Sequence, residues 1–204
     1  MAEMTMMRSP FAGEDGGPWS AEHRSPGGNI GLHVQAQTCA SVTWISTWLS
    51  GAAALEAALT QALRCTVPER PGTTVMTEWG RLLRTGPTDF CLIGDEAVNR
   101  VALLRQDIGP EVGSVTDLSH ARCCIRVSGP QCCQVLGKLF VLDLRERAFG
   151  VGEVRMTGTH HVPSMLLRSG AESFDLFVFT TYARDQVDTL LDAALEHGYH
   201  VSCS

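Results

Sequence analysis

The chain lacks the features that place a protein in a membrane or on nucleic acid. No run of residues approaches the roughly 20 apolar positions that span a bilayer. Lysine and arginine are scattered instead of forming a basic stripe, and the formal net charge is −6, which argues against a nucleic-acid partner. Residues 1–17 are acidic and rich in glycine and have no apolar signal core, which argues against export. We therefore expect a cytoplasmic protein without a membrane partner.

A phosphate-binding glycine loop is also missing. Gly150-Val151-Gly152 has no third glycine, and it lacks the flanking strand and helix that such a loop joins. The sequence therefore predicts that no dinucleotide binds to this chain alone.

Disulfides are not needed to hold the chain together. Its 204 residues are 44% apolar, enough for one sizeable domain or two small halves that share a core. The eight cysteines are therefore expected to be the free thiols of a cytosolic protein.

One segment of the sequence is repeated. Residues 82–93 return as residues 166–177, with six of the twelve positions identical (Leu-Leu-Arg, Gly, Phe and Leu). Each copy is predicted to form a hairpin, with turns at Gly86-Pro87 and Gly170-Ala171. Two copies of one supersecondary unit would bury their apolar faces against each other.

Helical patterns surround each predicted hairpin in the same order. One amphipathic helix precedes each copy and another follows it, and residues 42–49 and 112–128 read as strands. Asp95 is a candidate cap for the last helix of the first half, and Gly198 is a candidate stop for the last helix of the second. The helical stripes consist of Leu55, Ala58, Leu59, Ala62 and Leu63; Ala97, Val101, Leu104 and Ile108; Cys132, Val135, Leu136, Leu139 and Phe140; Val187, Leu190, Leu191, Ala194 and Leu195.

We therefore predict an α+β fold built from an internally duplicated β-α-β-β-α unit, with antiparallel sheets and helices on one side of each. Residues 39–204 would form a single pseudo-two-fold domain, with repeats at about 42–110 and 112–200. Residues 1–38 hold clusters of glycine, proline and serine and are predicted to be a flexible arm that lies on a partner.

Two cysteine doublets are the most conspicuous candidates for chemistry. Neighbouring residues on a strand point to opposite faces, so Cys123 and Cys124 are not expected to share a zinc ion. Cys132 takes the place of Leu55 in the other repeat, and this position indicates a small core residue. Cys133 follows it directly. We predict burial, with no metal site.

Histidines are the other candidates. His160-His161 is interpreted as part of a strand, where only one ring faces a given site. His120 lies in a loop with Asp117 and Ser119, but residues of one short turn do not make a nucleophile and its base. The Asp117 side chain is expected to cap the turn by bonding to the turn's own backbone, as in an Asx-turn. We predict no catalytic, cofactor-binding or metal-binding residue.

Tryptophan is confined to the first half of the chain. The four residues are Trp19, Trp44, Trp48 and Trp79. Trp19 lies in the predicted arm, and two interpretations stay open: it anchors the arm on another protein, or it packs locally.

Several segments together resemble one family. The residues are Val115-Thr116-Asp117-Leu118-Ser119-His120, Arg122, Ile125-Arg126-Val127-Ser128-Gly129-Pro130, Asp143-Leu144, Arg147-Ala148-Phe149, Phe174-Asp175-Leu176-Phe177-Val178 and Arg8-Ser9-Pro10-Phe11. They resemble the γ subunits of heterotetrameric sarcosine oxidase, small relatives of the folate-binding aminomethyltransferases.

This resemblance implies a non-catalytic structural subunit. Its complex would oxidatively demethylate sarcosine or a related N-methyl amino acid, with α, β and δ subunits as partners. FAD, FMN, NAD, tetrahydrofolate and zinc would sit on those partners and none on this chain. A freestanding folate-binding or aminomethyltransferase-like protein is the alternative. Nothing between Arg155 and Phe179 matches the Asp-Asp segment of the folate-dependent enzymes, so no folate-binding residue is carried over.

If the cysteine doublets are core residues, the purified protein should contain clearly less than one zinc ion per chain. Elemental mass spectrometry of protein purified without chelators measures the zinc content. Stoichiometric zinc that is lost in Cys123→Ser and kept in the control Cys65→Ser would contradict the assignment of the doublets to the core.

Overall fold

Two β-sheets pack face to face in this chain, and a pair of helices covers the outer face of each. The computed structural model describes residues 9–13, 18–39, 41–94 and 100–203, without the side chains of Thr38 and Leu49. The strands are β1 (Trp19–His23), β2 (Leu32–Thr38), β3 (Ser41–Ser46), β4 (Thr74–Thr77), β5 (Gly80–Arg84), β6 (Asp89–Gly94), β7 (Ser114–Asp117), β8 (Arg122–Ser128), β9 (Val154–Thr159), β10 (Val162–Gly170), β11 (Ser173–Phe179) and β12 (Tyr199–Cys203). The helices are α1 (Ala52–Leu63), α2 (Arg100–Asp107), α3 (Cys132–Leu139) and α4 (Ala183–Ala194).

The larger sheet has seven strands in the order β1-β12-β2-β8-β11-β10-β9, and the smaller has five in the order β4-β5-β6-β3-β7. Every neighbouring pair is antiparallel except β12 and β2, which are parallel. The predicted α+β class with antiparallel sheets is confirmed. The predicted unit lacked two strands, because a further strand, β4 or β9, precedes each hairpin and another, β7 or β12, follows the last helix of each half. Both β4 and β9 are edge strands. Strand β4 has only four residues and none of them is buried, so its sequence shows no clear strand pattern.

Alternation along the strands divides the interior into three layers, since successive side chains of a strand point to opposite faces. In β8, Cys123, Ile125 and Val127 face α3 and α4, whereas Cys124 faces the other sheet. The smaller sheet has its own core against α1 and α2. The layer between the sheets consists of Val42, Leu83, Cys91, Cys124, Val154, Met165, Leu167 and Phe177.

The predicted helical stripes are buried as expected. Leu55, Leu59 and Leu63 are buried in α1, and the Ala58 and Ala62 side chains pack against the same core. In α4 the stripe holds except at Leu195, which is 46% exposed. The predicted stop is confirmed: Gly198 has a φ of +75° and its N–H donates to the Ala194 carbonyl. The candidate cap Asp95 and its neighbour Ala97 lie outside the described residues.

The prediction of a flexible arm is wrong for residues 18–38. Strand β2 lies inside the seven-stranded sheet, between β12 and β8. Its apolar side chains Leu32, Val34 and Ala36 are all buried, and the polar residues between them face outward. The Leu-His-Val-Gln-Ala-Gln alternation was the signal for a half-buried strand, and the glycine and proline around it masked that signal.

A second anchor lies nearer the start of the chain. The Phe11 side chain is completely buried and belongs to the core that α3 and α4 form with the larger sheet. A short turn holds it, in which the Ala12 N–H donates to the Ser9 carbonyl. The start of the chain is therefore part of the folded domain at this point.

Both repeated segments form hairpins, and each buries its arginine against main-chain carbonyls and an aromatic ring; Arg84 also pairs with Glu56. Arg84 donates to the carbonyls of Pro68 and Pro87, and its guanidinium lies 5.1 Å from the Phe90 ring centroid. Arg168 donates to four carbonyls, those of Leu144, Phe149, Gly170 and Ala171, and lies 5.2 Å from the Phe174 ring centroid. Each arginine therefore ties its hairpin to a neighbouring loop.

We expect Phe11→Ala to lower the free energy of unfolding by about 3–5 kcal/mol, because it empties a fully buried aromatic site. Chemical denaturation of the purified chain measures this. Trp48→Ala is the control: its side chain is 84% exposed, so stability should change by less than about 0.5 kcal/mol. Equal effects of the two substitutions would show that Phe11 does not contribute to the core.

Candidate functional site

Three of the four cysteines in the doublets are core residues, as predicted, and Cys133 is half-buried against the core. Cys123 is completely buried on the helix side of its sheet, and Cys124 is buried on the opposite side. Cys132 is 1% exposed. The alignment of Cys132 with Leu55 agrees with the burial pattern, because Leu55, Leu59 and Leu63 are buried at the same spacing as Cys132, Leu136 and Phe140. Among the described residues, no group of three His, Cys, Asp or Glu side chains is arranged to hold a metal ion.

Burial also suppresses the reactivity of the thiols. Desolvation raises the pKa of Cys39 and of Cys91 to about 12, and it raises the pKa of Cys124 well above the ordinary thiol value. Because the thiolate is the nucleophile and the metal ligand, a raised pKa leaves little of the reactive form of these residues at neutral pH.

The histidine candidates do not form a site. His160 and His161 make up the two-residue turn between β9 and β10, with φ values of 46° and 70°. Positive φ at both positions is typical of a type I′ hairpin, so the strand interpretation was wrong. Both side chains are exposed.

The turn that holds His120 is confirmed as structural. The Asp117 Oδ1 accepts hydrogen bonds from the Ser119 N–H at 2.9 Å and from the Ser119 hydroxyl at 2.6 Å. These bonds are the main cause of the lowered pKa of Asp117. The Ser119 Oγ in turn accepts from the Val42 N–H, which joins the turn to β3.

Trp19 packs locally, which decides between the two interpretations left open. Its indole lies against the core beneath α4, and the Arg184 guanidinium lies 4.6 Å from the ring centroid. Trp48 is the exposed tryptophan, in the loop between β3 and α1.

A cleft of about 630 Å³ lies between the two sheets. One wall comes from β2, β8, β10 and β11 of the larger sheet, and the other comes from β4, β5 and β6. Its charged lining residues are Arg81, Arg126 and Asp175. The cleft lies at one end of the strands of the smaller sheet, since its lining includes Gly80 at the start of β5 and Gly94 at the end of β6.

An ion pair forms the floor of this cleft. The Arg126 Nε and Nη2 donate to the two carboxylate oxygens of Asp175 at 2.6 and 2.9 Å. The residues are direct neighbours in the register of β8 and β11. The Asp175 side chain is 7% exposed and that of Arg126 is 50% exposed, so the carboxylate is the buried member. Both oxygens are satisfied, as a buried carboxylate requires.

Sequence reasoning missed this pair. The available signal was a single charged residue inside each of two apolar, alternating strands, Arg126 in one and Asp175 in the other. Their contact joins positions 49 residues apart, and only the pairing of β8 with β11 brings them together.

Comparison with known proteins identifies the family, although no protein-family model matches the chain. The γ subunit of sarcosine oxidase from Corynebacterium sp. (strain P-1) is 30% identical over 197 residues, covering 96% of this chain and 97% of the relative. The Arthrobacter sp. γ subunit is also 30% identical over 197 residues, with the same coverage. The γ subunit of Corynebacterium sp. (strain U-96) is 33% identical over 147 residues. The chain belongs to the sarcosine oxidase γ-subunit family.

Solved structures agree with this assignment at the level of fold. Heterotetrameric sarcosine oxidase from Corynebacterium sp. U-96 contains a chain that matches with a TM-score of 0.69 at 23% identity, covering 93% of this chain and 91% of that one. Aminomethyltransferase T of the glycine cleavage system from Bartonella henselae matches with a TM-score of 0.63 at 16% identity. The aligned part of this chain covers 52% of that aminomethyltransferase.

No helix among the described residues is long and apolar enough to cross a membrane.

The raised thiol pKa values predict strong protection from alkylation. At pH 8 a thiol with a pKa of about 12 is roughly 0.01% thiolate. Iodoacetamide should therefore label Cys91 and Cys39 far more slowly than the half-buried Cys133 of the folded chain. Peptide mass spectrometry measures the rates, and labelling of all cysteines in denaturant is the control. Equal rates at Cys91 in the folded and unfolded chains would contradict the protection.

Proposed function

We propose that this chain is the non-catalytic structural subunit of a flavin-dependent heterotetrameric complex that oxidatively demethylates sarcosine or a related N-methyl amino acid. The observation that carries the proposal is the relationship to sarcosine oxidase γ subunits over almost the whole length of both chains. The α, β and δ subunits would be its partners. FAD, FMN, NAD, tetrahydrofolate and zinc would be bound by those partners, in the cytoplasm.

The surroundings of the chemically capable side chains support a structural role. Asp175 is paired with Arg126, Asp117 caps a turn, and Arg168 is used entirely by main-chain carbonyls. The buried thiols are protonated at neutral pH. Side chains that serve the fold in this way are not available to transfer protons or electrons.

The exposed surface offers a candidate anchor for a partner. Trp48 is 84% exposed, and tryptophan is among the residues that contribute most to protein interfaces. An indole this exposed buries a large apolar area when another subunit covers it. We assign Trp48 to an interface with one of the large subunits.

We also propose that the chain contains an internal duplication, with a pseudo-two-fold axis that relates residues 41–117 to residues 122–203. Each half runs β-α-β-β-β-α-β, and β4-β5-β6-β3 in one sheet matches β9-β10-β11-β8 in the other. The Val154 N–H donates to the Gly72 carbonyl, and the Thr74 hydroxyl donates to the Gly152 carbonyl. The two glycines have φ values of +88° and +81°. Each half thus donates one hydrogen bond to the other half at matching positions, which favours a two-fold relation between the halves.

The alternative is a freestanding folate-binding protein, favoured by the fold of aminomethyltransferase T. The chain corresponds to only about half of that protein. A pocket that needs both halves would be incomplete here, so we prefer the subunit role.

We expect the tagged chain, co-expressed with the flavoprotein subunits of its own genome, to co-purify with them and with visible flavin absorbance. Sarcosine-dependent formaldehyde release should accompany the purified complex, because the chemistry lies in the partners. A well-behaved monomer without flavoprotein would contradict the proposal. Folate fluorescence that responds to the isolated chain would favour the alternative.

Trp48→Ala should reduce the amount of co-purified flavin at least about tenfold, as loss of an interface hot spot does, without changing the melting temperature. Tyr182→Ala, which removes another exposed aromatic ring (46% exposed), is the matched control. Equal yields from the wild type and Trp48→Ala would remove Trp48 from the interface and leave the subunit role intact.

A further inference from the structure

We infer that the cleft between the two sheets binds a small carboxylate with an apolar body, and that Arg81 receives the carboxylate. The inference concerns this chain by itself and does not depend on its assembly with other subunits. The cleft volume of about 630 Å³ lies inside the range of roughly 300–1,000 Å³ that small-molecule sites occupy.

The charge balance of the lining favours an anion. Asp175 is satisfied in a bidentate pair with Arg126, so it does not neutralise Arg81. Among the described residues, the Arg81 guanidinium contacts the Thr74 hydroxyl, from Nη1 at 3.1 Å, and this partner carries no charge. The lining thiols Cys39 and Cys124 are protonated and add no negative charge. Of the described charged side chains in the lining, two are cationic and one is anionic.

Apolar side chains lie beside this positive charge. Met76 and Ile93 are the neighbours of Arg81 in the register of β4, β5 and β6, and Leu167 and Phe177 form the facing wall. Met76 is 59% exposed, so its apolar side chain is accessible to a ligand in the cleft. A guanidinium bordered by apolar surface matches a carboxylate attached to an aromatic or aliphatic group.

Benzoate is a suitable probe, and benzamide is its neutral counterpart of the same shape. Titration of each into the full-length chain, followed by nuclear magnetic resonance shifts, should show saturable binding of benzoate and at least about tenfold weaker binding of benzamide. Arg81→Gln should weaken benzoate binding at least about tenfold, as loss of a charged hydrogen bond does. The control Arg147→Gln removes an exposed arginine outside the cleft and should leave binding unchanged. Equal affinities for benzoate and benzamide, or full binding by Arg81→Gln, would overturn the inference.

Two other carboxylates are candidates for the cleft, one from the chain itself and one from a partner protein. Benzoate binding tests both. Asp95 and Glu96 follow the cleft residue Gly94 in sequence and lie outside the described residues. If the double variant D95N/E96Q binds benzoate at least tenfold more tightly than the wild type, the chain's own acids occupy the cleft and the inference fails; we expect a change below twofold. Loss of co-purification by Arg81→Gln, together with no benzoate binding by the wild type, would assign the cleft to an acidic side chain of a partner and also overturn it.

Discussion

Contact between the inner faces of the two β-sheets determines where every other element of this chain lies. Each sheet presents alternate side chains to the other sheet and to its own helices, so a single register places both layers at once. The six Val, Leu, Met and Phe side chains of the shared layer each contribute about 1.5–3 kcal/mol when fully buried. A shift of one residue in any central strand would exchange that layer for the helix-facing one. The central layer therefore constrains the pairing of all strands that pass through it.

The two sheets are unequal because the start of the chain adds two strands to one of them. Strand β2 separates β12 from β8, whereas the corresponding strands β7 and β3 of the smaller sheet are direct neighbours. This insertion makes the larger sheet wider than the sheet that covers it. Gln37 of β2 lines the cleft together with Arg126 of β8. The larger sheet therefore supplies to the cleft one strand, β2, that has no counterpart in the smaller sheet.

Charged residues inside the fold mainly serve its architecture. Arg84 and Arg168 hold equivalent hairpins to their neighbouring loops through main-chain carbonyls, and a guanidinium suits this task because its donors point in several fixed directions. The bidentate pair of Arg126 and Asp175 joins two adjacent strands. Arg81 differs, because its described partner is a neutral hydroxyl.

The pattern of residue types along the sequence determined much of the local structure of this protein. Helical spacing identified the buried faces of α1, α3 and α4, and the Leu-Leu-Arg repeat identified both hairpins. Strand alternation showed that Cys123 and Cys124 face opposite ways. These properties depend on residues within a few positions of each other, where the period of a helix or strand fixes the direction of a side chain. The resemblance of short motifs to γ subunits was likewise present in the sequence and was confirmed by relatives of nearly equal length.

Tertiary structure decided what depends on distant segments meeting. Strand β2 is inside a sheet because β12, more than 160 residues later in the chain, pairs with it in register from Tyr199 opposite Leu32. The burial of Phe11 and the contact of Arg126 with Asp175 arise in the same way. Local composition carries little information on such contacts, since a segment rich in glycine and proline can be an arm or an ordered strand with tight turns. The partner that a segment finds, and not its own propensity, makes that choice.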